Sequence, residues 1–184
     1  MLIALIIVAV LVAYVIFVYN ILVKNRQKVK EALSTIDTQL KRRYDLIPNL
    51  VETVKGYAAH ESGTLEKVIQ ARAEAMNQTG AKAKGKAEEG LTGALKSIFA
   101  LGESYPELKA NQNFLSLQQE LSDTETKVQA SRQFYNTVVM TLNTKVEMFP
   151  SNLIAKLFHF SKEDFFEMSA EEAQKAQQAP QVKF

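Results

Sequence analysis

The chain contains no cysteine. This excludes disulfides, a cysteine-ligated zinc site and a thiol nucleophile, and it leaves the compartment open. Glycine and proline are scarce, with 7 and 4 among 184 residues, so most of the chain is expected to fold. Only two histidines occur, His60 and His159, far apart and without acidic residues spaced around them, so no metal site is expected. Neither sign of charge dominates. A formal net charge of +2 gives no reason to expect nucleic-acid binding by the whole domain.

A second absence is local: residues 1–19 carry no charged side chain. Most of them are Leu, Ile, Val or Phe. As a helix the stretch is about 28 Å long, the thickness of a bilayer's hydrocarbon core. Insertion is favoured by about 4–8 kcal/mol. A cleaved signal peptide needs a basic leader and a small-x-small cleavage site, and a buried core helix needs a polar face; the stretch shows neither pattern. Residues 1–23 are therefore expected to form a transmembrane helix. Lys24, Arg26, Lys28 and Lys30 follow it directly. The positive-inside rule then puts the rest of the chain in the cytoplasm and Met1 outside, in a single-pass topology. The same cations suit anionic lipid headgroups; a stop-transfer flank with no further role is the plainer reading.

Beyond the span the pattern is helical. Over 24–60 two heptad rows appear: Leu33, Leu40, Ile47 and Val54, then Val29, Ile36, Leu50 and Tyr57. Pro48 predicts a kink or restart near Leu46. A second helix is expected over 64–77, capped by Ser62 or Thr64, with Leu65, Val68, Ile69 and Met76 on its apolar side. Gly80, Gly85, Gly90 and Gly93 suggest a mobile loop at 79–89 and a short helix at 91–101. Ser104, Pro106 and Glu107 read as a capping box that opens a long helix over 104–148. Along it Phe114, Leu121, Val128, Tyr135, Leu142 and Phe149 recur every seven residues. A Phe-rich short helix is expected at 152–166 and a flexible tail at 169–184. The expected architecture is all-α: the transmembrane helix, then an elongated antiparallel bundle of three to four helices over 24–168, with coiled-coil-like seams.

Several segments resemble the LemA family of bacterial membrane proteins: VKEALSTID at 29–37, QLKRRYDLIPNLVETVKGY at 39–57, His60-Glu61, YPELKAN at 105–111, Phe114, Thr124-Glu125, RQFYN at 132–136 and FPSNL at 149–153. The resemblance covers about residues 20–166, in order, and leaves out the Gln-rich tail. It implies a four-helix bundle behind one membrane helix and no known enzymatic activity. It also implies kinship with magnetosome membrane proteins. Some members of the family are lipoproteins; with no cysteine, the transmembrane form is expected here. Leu33 stands where the family usually has Trp.

Arg43 occupies a seam position. Its guanidinium is expected either to snorkel to the bundle edge or to pair inside the bundle, with Glu120 or Asp123 as candidates, because an unpaired buried charge costs several kcal/mol. Arg42, Arg43, Asp45, Pro48 and Asn49 form a charged cluster around a proline. It reads as a structural kink or, functionally, as a partner-binding elbow. Pro48 cannot donate to the Tyr44 carbonyl, so Asn49 or water is expected to do so. Phe158, Phe160, Phe165 and Phe166 exceed what a short docked helix readily buries, which marks a second candidate partner surface. His60 next to Glu61 resembles a phosphoacceptor, but a capping or hydrogen-bonding role is the simpler reading. No paired carboxylates suit general acid–base catalysis.

The expectation is a non-enzymatic, membrane-anchored scaffold or adaptor. It would self-assemble or bind other membrane proteins at the cytoplasmic face, with no cofactor, nucleic acid or small-molecule substrate. The alternatives are a signalling component with His60 as phosphoacceptor and a membrane-associated enzyme.

Overall fold

The structure, a computed structural model, describes residues 1–166. The expected tail at 169–184 lies outside them. Among the described residues there are six α-helices and no strand, so the chain is all-α. It divides into two compact units. The first comprises Met1–Ile36 and Ala130–Phe165; the second comprises Asp37–Gln129 and Phe166.

Helix α1 (Leu2–Lys55) has no glycine, and its one proline, Pro48, lies inside it without ending it. The expected restart near Leu46 is absent. In the first unit α1 is exposed along its apolar start and begins to be covered at Val18 and Leu22. Val29, Ala32 and Ile36 then meet the core that also holds Tyr135, Val139 and Leu142. In the second unit Leu40, Ile47, Leu50 and Val54 continue the buried stripe. Leu33 is only half-buried and Tyr57 is exposed, so each row loses one member.

Helix α2 (Ser62–Met76) starts after Glu61, with no side-chain cap from Ser62 or Thr64. It buries Leu65, Val68 and Ala75, while Ile69 and Met76 face solvent.

Helix α3 (Ala81–Ser104) replaces the expected loop at 79–89 and short helix at 91–101. Only Gly80 acts as a breaker, at φ 82, the left-handed region that glycine enters without a Cβ penalty. The other glycines are carried inside α3. Each costs about 1 kcal/mol against alanine. Burial along one stripe, Glu88, Leu91, Leu95, Ile98 and Gly102, offsets that cost. Gly102 is there because Phe114 is close: a Cβ would lie 3.0 Å from its ring.

The expected long helix over 104–148 is divided. Pro106 opens a single turn, α4 (Pro106–Lys109), and no side chain caps it. Helix α5 (Gln112–Glu147) then restarts, because Asn111 Oδ1 accepts the Phe114 N–H at 3.0 Å, an N-cap worth about 1 kcal/mol. Phe114, Leu121, Val128, Tyr135 and Leu142 are buried as the heptad requires. Thr124 sits among them at 1% exposure because its hydroxyl donates back to the Glu120 carbonyl at 2.7 Å. Phe149 does not extend the row: it lies past the helix end and is exposed.

The Phe-rich segment is helical only over α6 (Ser151–Leu157). Phe160 N–H bonds the Ala155 carbonyl at 2.9 Å and His159 N–H bonds that of Lys156 at 3.3 Å, the pairing of a Schellman stop. His159 takes the left-handed position, at φ 56. The following residues are strapped to α5. Asn143 Nδ2 donates to the Glu163 carbonyl and Asn143 Oδ1 accepts the Glu163 N–H, both at 2.9 Å. The Tyr135 hydroxyl donates to the Asp164 carbonyl at 2.9 Å.

Candidate functional site

The second unit holds a buried polar cluster. Arg43 is 3% exposed and does not snorkel. Nor does it meet Glu120 or Asp123. Its Nη1 donates to Glu88 Oε2 at 3.0 Å and its Nη2 to Thr92 Oγ1 at 2.9 Å, both on α3. The Tyr44 hydroxyl donates to the other Glu88 oxygen. Burial, and then the facing Glu88 carboxylate, raise the Tyr44 pKa well above its ordinary value. Lys84 of α3 pairs with Asp37 of α1 nearby. The cluster closes on itself in charge: each charged group has a partner within the unit, as buried ionic groups require, although the buried Arg43 Nε has no hydrogen-bond partner.

Pro48 leaves the Tyr44 carbonyl without its helical donor. Neither Asn49 nor water is needed to fill that role. Arg72 of α2 donates its Nε to this oxygen at 2.8 Å. The proline thus opens an acceptor that ties α1 to α2. The other residues of the expected elbow, Arg42, Asp45, Pro48 and Asn49, are exposed, whereas Arg43 is inside and cannot meet a partner. Asp45 pairs with Lys41 at 2.6 Å.

Two small hollows lie in this unit. One, of about 200 Å³, is lined by Arg43, Leu95, Phe99, Gln118 and Leu121; the other, of about 290 Å³, by Asn49, Thr53, Asn113 and Glu120. Both fall below the usual range of small-molecule sites, which begins at about 300 Å³.

In the first unit the basic flank and the Phe segment come together. Lys24, Lys28 and Lys30 are exposed, while Arg26 lies over the Phe160 ring at 4.9 Å. Tyr19 meets Phe158 at 4.8 Å and Phe160 at 5.8 Å between ring centroids. Phe160 is buried here, as is Phe166, which belongs to the second unit, so two of the four expected partner-facing rings are not available; Phe158 and Phe165 are nearly half exposed. His60 is exposed in the turn after α1, and His159 serves the α6 stop.

These features define a class: a helical membrane protein whose first helix, apolar and exposed over its opening residues, is long enough to cross a bilayer. Its buried Arg43 and Glu88 pair with each other. The chain belongs to the LemA family, whose profile matches residues 32–184 and so includes the tail that the motif resemblance left out. It is 29% identical over 148 residues to Protein LemA of Metamycoplasma hominis, covering 76% of this chain and 66% of that protein. It is 23% identical over 175 residues to Magnetosome protein MamQ 2 of Paramagnetospirillum magneticum, covering 81% and 64%. Against Magnetosome protein MamQ of Magnetospirillum gryphiswaldense it is 23% identical over 174 residues, covering 80% and 64%. The chain thus spans slightly less than two thirds of the length of these relatives. Neither LemA nor MamQ is a known enzyme family.

Proposed function

We propose that this chain is a non-enzymatic, membrane-anchored scaffold that associates with copies of itself through the outer face of α5. The observation that carries the reading is the chemistry of that face in the first unit. Between Arg132 and Lys145 there is no charged residue. Yet Phe134 is 60% and Met140 56% exposed. Thr137, Thr141 and Thr144 donate their hydroxyls to the carbonyls four residues back, at 2.9, 2.9 and 2.8 Å. Their polar atoms are satisfied without water. A helix face left to solvent normally carries charge. An aromatic, Met and Thr face without charge has the composition of an interface centre. Anchoring confines every copy to one plane and raises the effective concentration of neighbours.

The flank Lys24, Arg26, Lys28 and Lys30 supports a cytoplasmic bundle with Met1 outside. Other membrane proteins that present an uncharged helix flank are a second class of partner for the same face. The closed Arg43 cluster supports a structural role for the buried charges.

The test is the mass of the full chain extracted in mild detergent, alongside Phe134→Asp. The wild type is expected as a homo-oligomer and the variant as a monomer of unchanged helicity. A monomeric wild type at high protein concentration contradicts self-assembly. A reporter fused after Phe184 is expected to be active in the cytoplasm; activity outside contradicts the orientation alone.

A further inference from the structure

The membrane-proximal end of the first unit carries a second apolar surface, separate from the α5 face. Phe149, Leu153 and Leu157 are 74%, 61% and 68% exposed, and Met148 and Phe158 are exposed beside them. Single exposed apolar side chains are ordinary on soluble proteins. These five lie within one short turn-and-helix, and Leu153 and Leu157, four residues apart on α6, share a face. The opposite side of α6 buries Ile154 and Ala155 against the unit. The outward side has no such partner within the described residues.

Position tells what covers it. The ring of Phe158 meets Tyr19, and that of Phe160 meets Tyr19 and Arg26. Tyr19 lies near the end of the charge-free stretch, which runs to Val23, and Arg26 belongs to the basic flank that follows. An apolar stretch of that length fills the hydrocarbon core, so its end marks the headgroup level. α6 is therefore held at the depth where acyl chains give way to headgroups. Lys24 and Lys28 on α1 and Lys156 on α6 are exposed and suit anionic headgroups. An apolar face with cations at its edge is the pattern of an interfacial segment.

We propose that the turn at Met148-Phe149 and the outer face of α6 dip into the bilayer interface beside the membrane helix, as a second lipid contact that fixes the first unit against the membrane surface. This rests on the reading of α1 as a membrane span, and the test separates the two. Because the native chain has no cysteine, single cysteines take a nitroxide label without further changes. Labels at Leu153 and Leu157 are compared with Leu11 in the span and Ile69 on α2. The full chain is held in nanodiscs of phosphatidylcholine and phosphatidylglycerol, one copy per disc. The ratio of oxygen to aqueous nickel accessibility is expected several-fold higher at Leu153 and Leu157 than at Ile69, and highest at Leu11. Leu153 and Leu157 labels as water-accessible as Ile69, with Leu11 protected, overturn the proposal alone. A water-accessible Leu11 overturns both it and the span. Protection at Leu153 and Leu157 that appears only with several copies per disc assigns the surface to a second copy and also overturns it.

Discussion

Arg72 Nε donates to the Tyr44 carbonyl oxygen at 2.8 Å, and that oxygen is the acceptor Pro48 leaves without a helical donor. A local defect in α1 thereby becomes a tie to α2. Arg72→Ala should destabilise the chain by about 1–3 kcal/mol, because a partly buried acceptor loses its partner. Pro48→Ala restores an N–H for the same carbonyl, so the double variant should recover part of that loss. Chemical denaturation of the four proteins of the cycle checks this. Strict additivity contradicts the account.

The Arg43–Glu88 pair is the second tie. Removing one member, as in Arg43→Met or Glu88→Leu, should cost about 3–5 kcal/mol, since it strands the other charge. Replacing both by apolar residues should be much milder. Thermal melts followed by helicity decide it; a double variant as unstable as the sum of the singles argues against a mutually neutralised pair.

Much of this arrangement is legible in the sequence. The charge-free start and glycine-free run fix α1, and the seven-residue row from Phe114 to Leu142 fixes α5. The division at Ala110 and Asn111 is missed because the cap is a single Asn, and YPELKAN reads as the start of a helix. α3 is missed for a different reason. Its glycines look like breakers, although all but Gly80 are outweighed by burial. That error hides the partner of Arg43, since a carboxylate in a supposed loop reads as solvated. A signal is nevertheless present: Glu88, Leu91, Leu95, Ile98 and Gly102 follow heptad spacing. An arginine in one seam calls for an acid in another. The Phe segment misleads in the opposite direction, because sequence alone does not separate Phe160 and Phe166, which are buried, from Phe158 and Phe165.

Glycines in α3 and at its end should respond in opposite ways. A Cβ at Gly90 or Gly93 meets nothing within 4 Å, so each change to Ala should stabilise by about 0.5–1 kcal/mol. Gly102→Ala pushes on the Phe114 ring and should destabilise. Melting temperatures of the three variants test this. Equal effects at all three sites contradict the tight contact at Gly102.

Alkaline pH should weaken the fold. Tyr44 is raised well above its ordinary pKa by burial and the Glu88 carboxylate; Tyr135 is pushed up to about 12 by burial and the nearby Glu163 and Asp164. Both stay protonated in the fold after they would ionise in the unfolded chain. Their contribution is full below about pH 10, the unfolded value, and falls as pH rises beyond it. Denaturation between about pH 9 and pH 12 should show this loss, and Tyr44→Phe with Tyr135→Phe should flatten it. A slope unchanged by the two substitutions contradicts the assignment.

The central claim, self-association through the α5 flank, is tested most directly by crosslinking at Phe134 in intact membranes. Phe134→Cys and, as a control, Ile69→Cys each introduce the chain's only thiol, at exposed apolar positions on α5 and α2. A short bis-maleimide should yield a dimer band efficiently at position 134 and poorly at position 69. Equal crosslinking at both positions, or none at 134, contradicts the account.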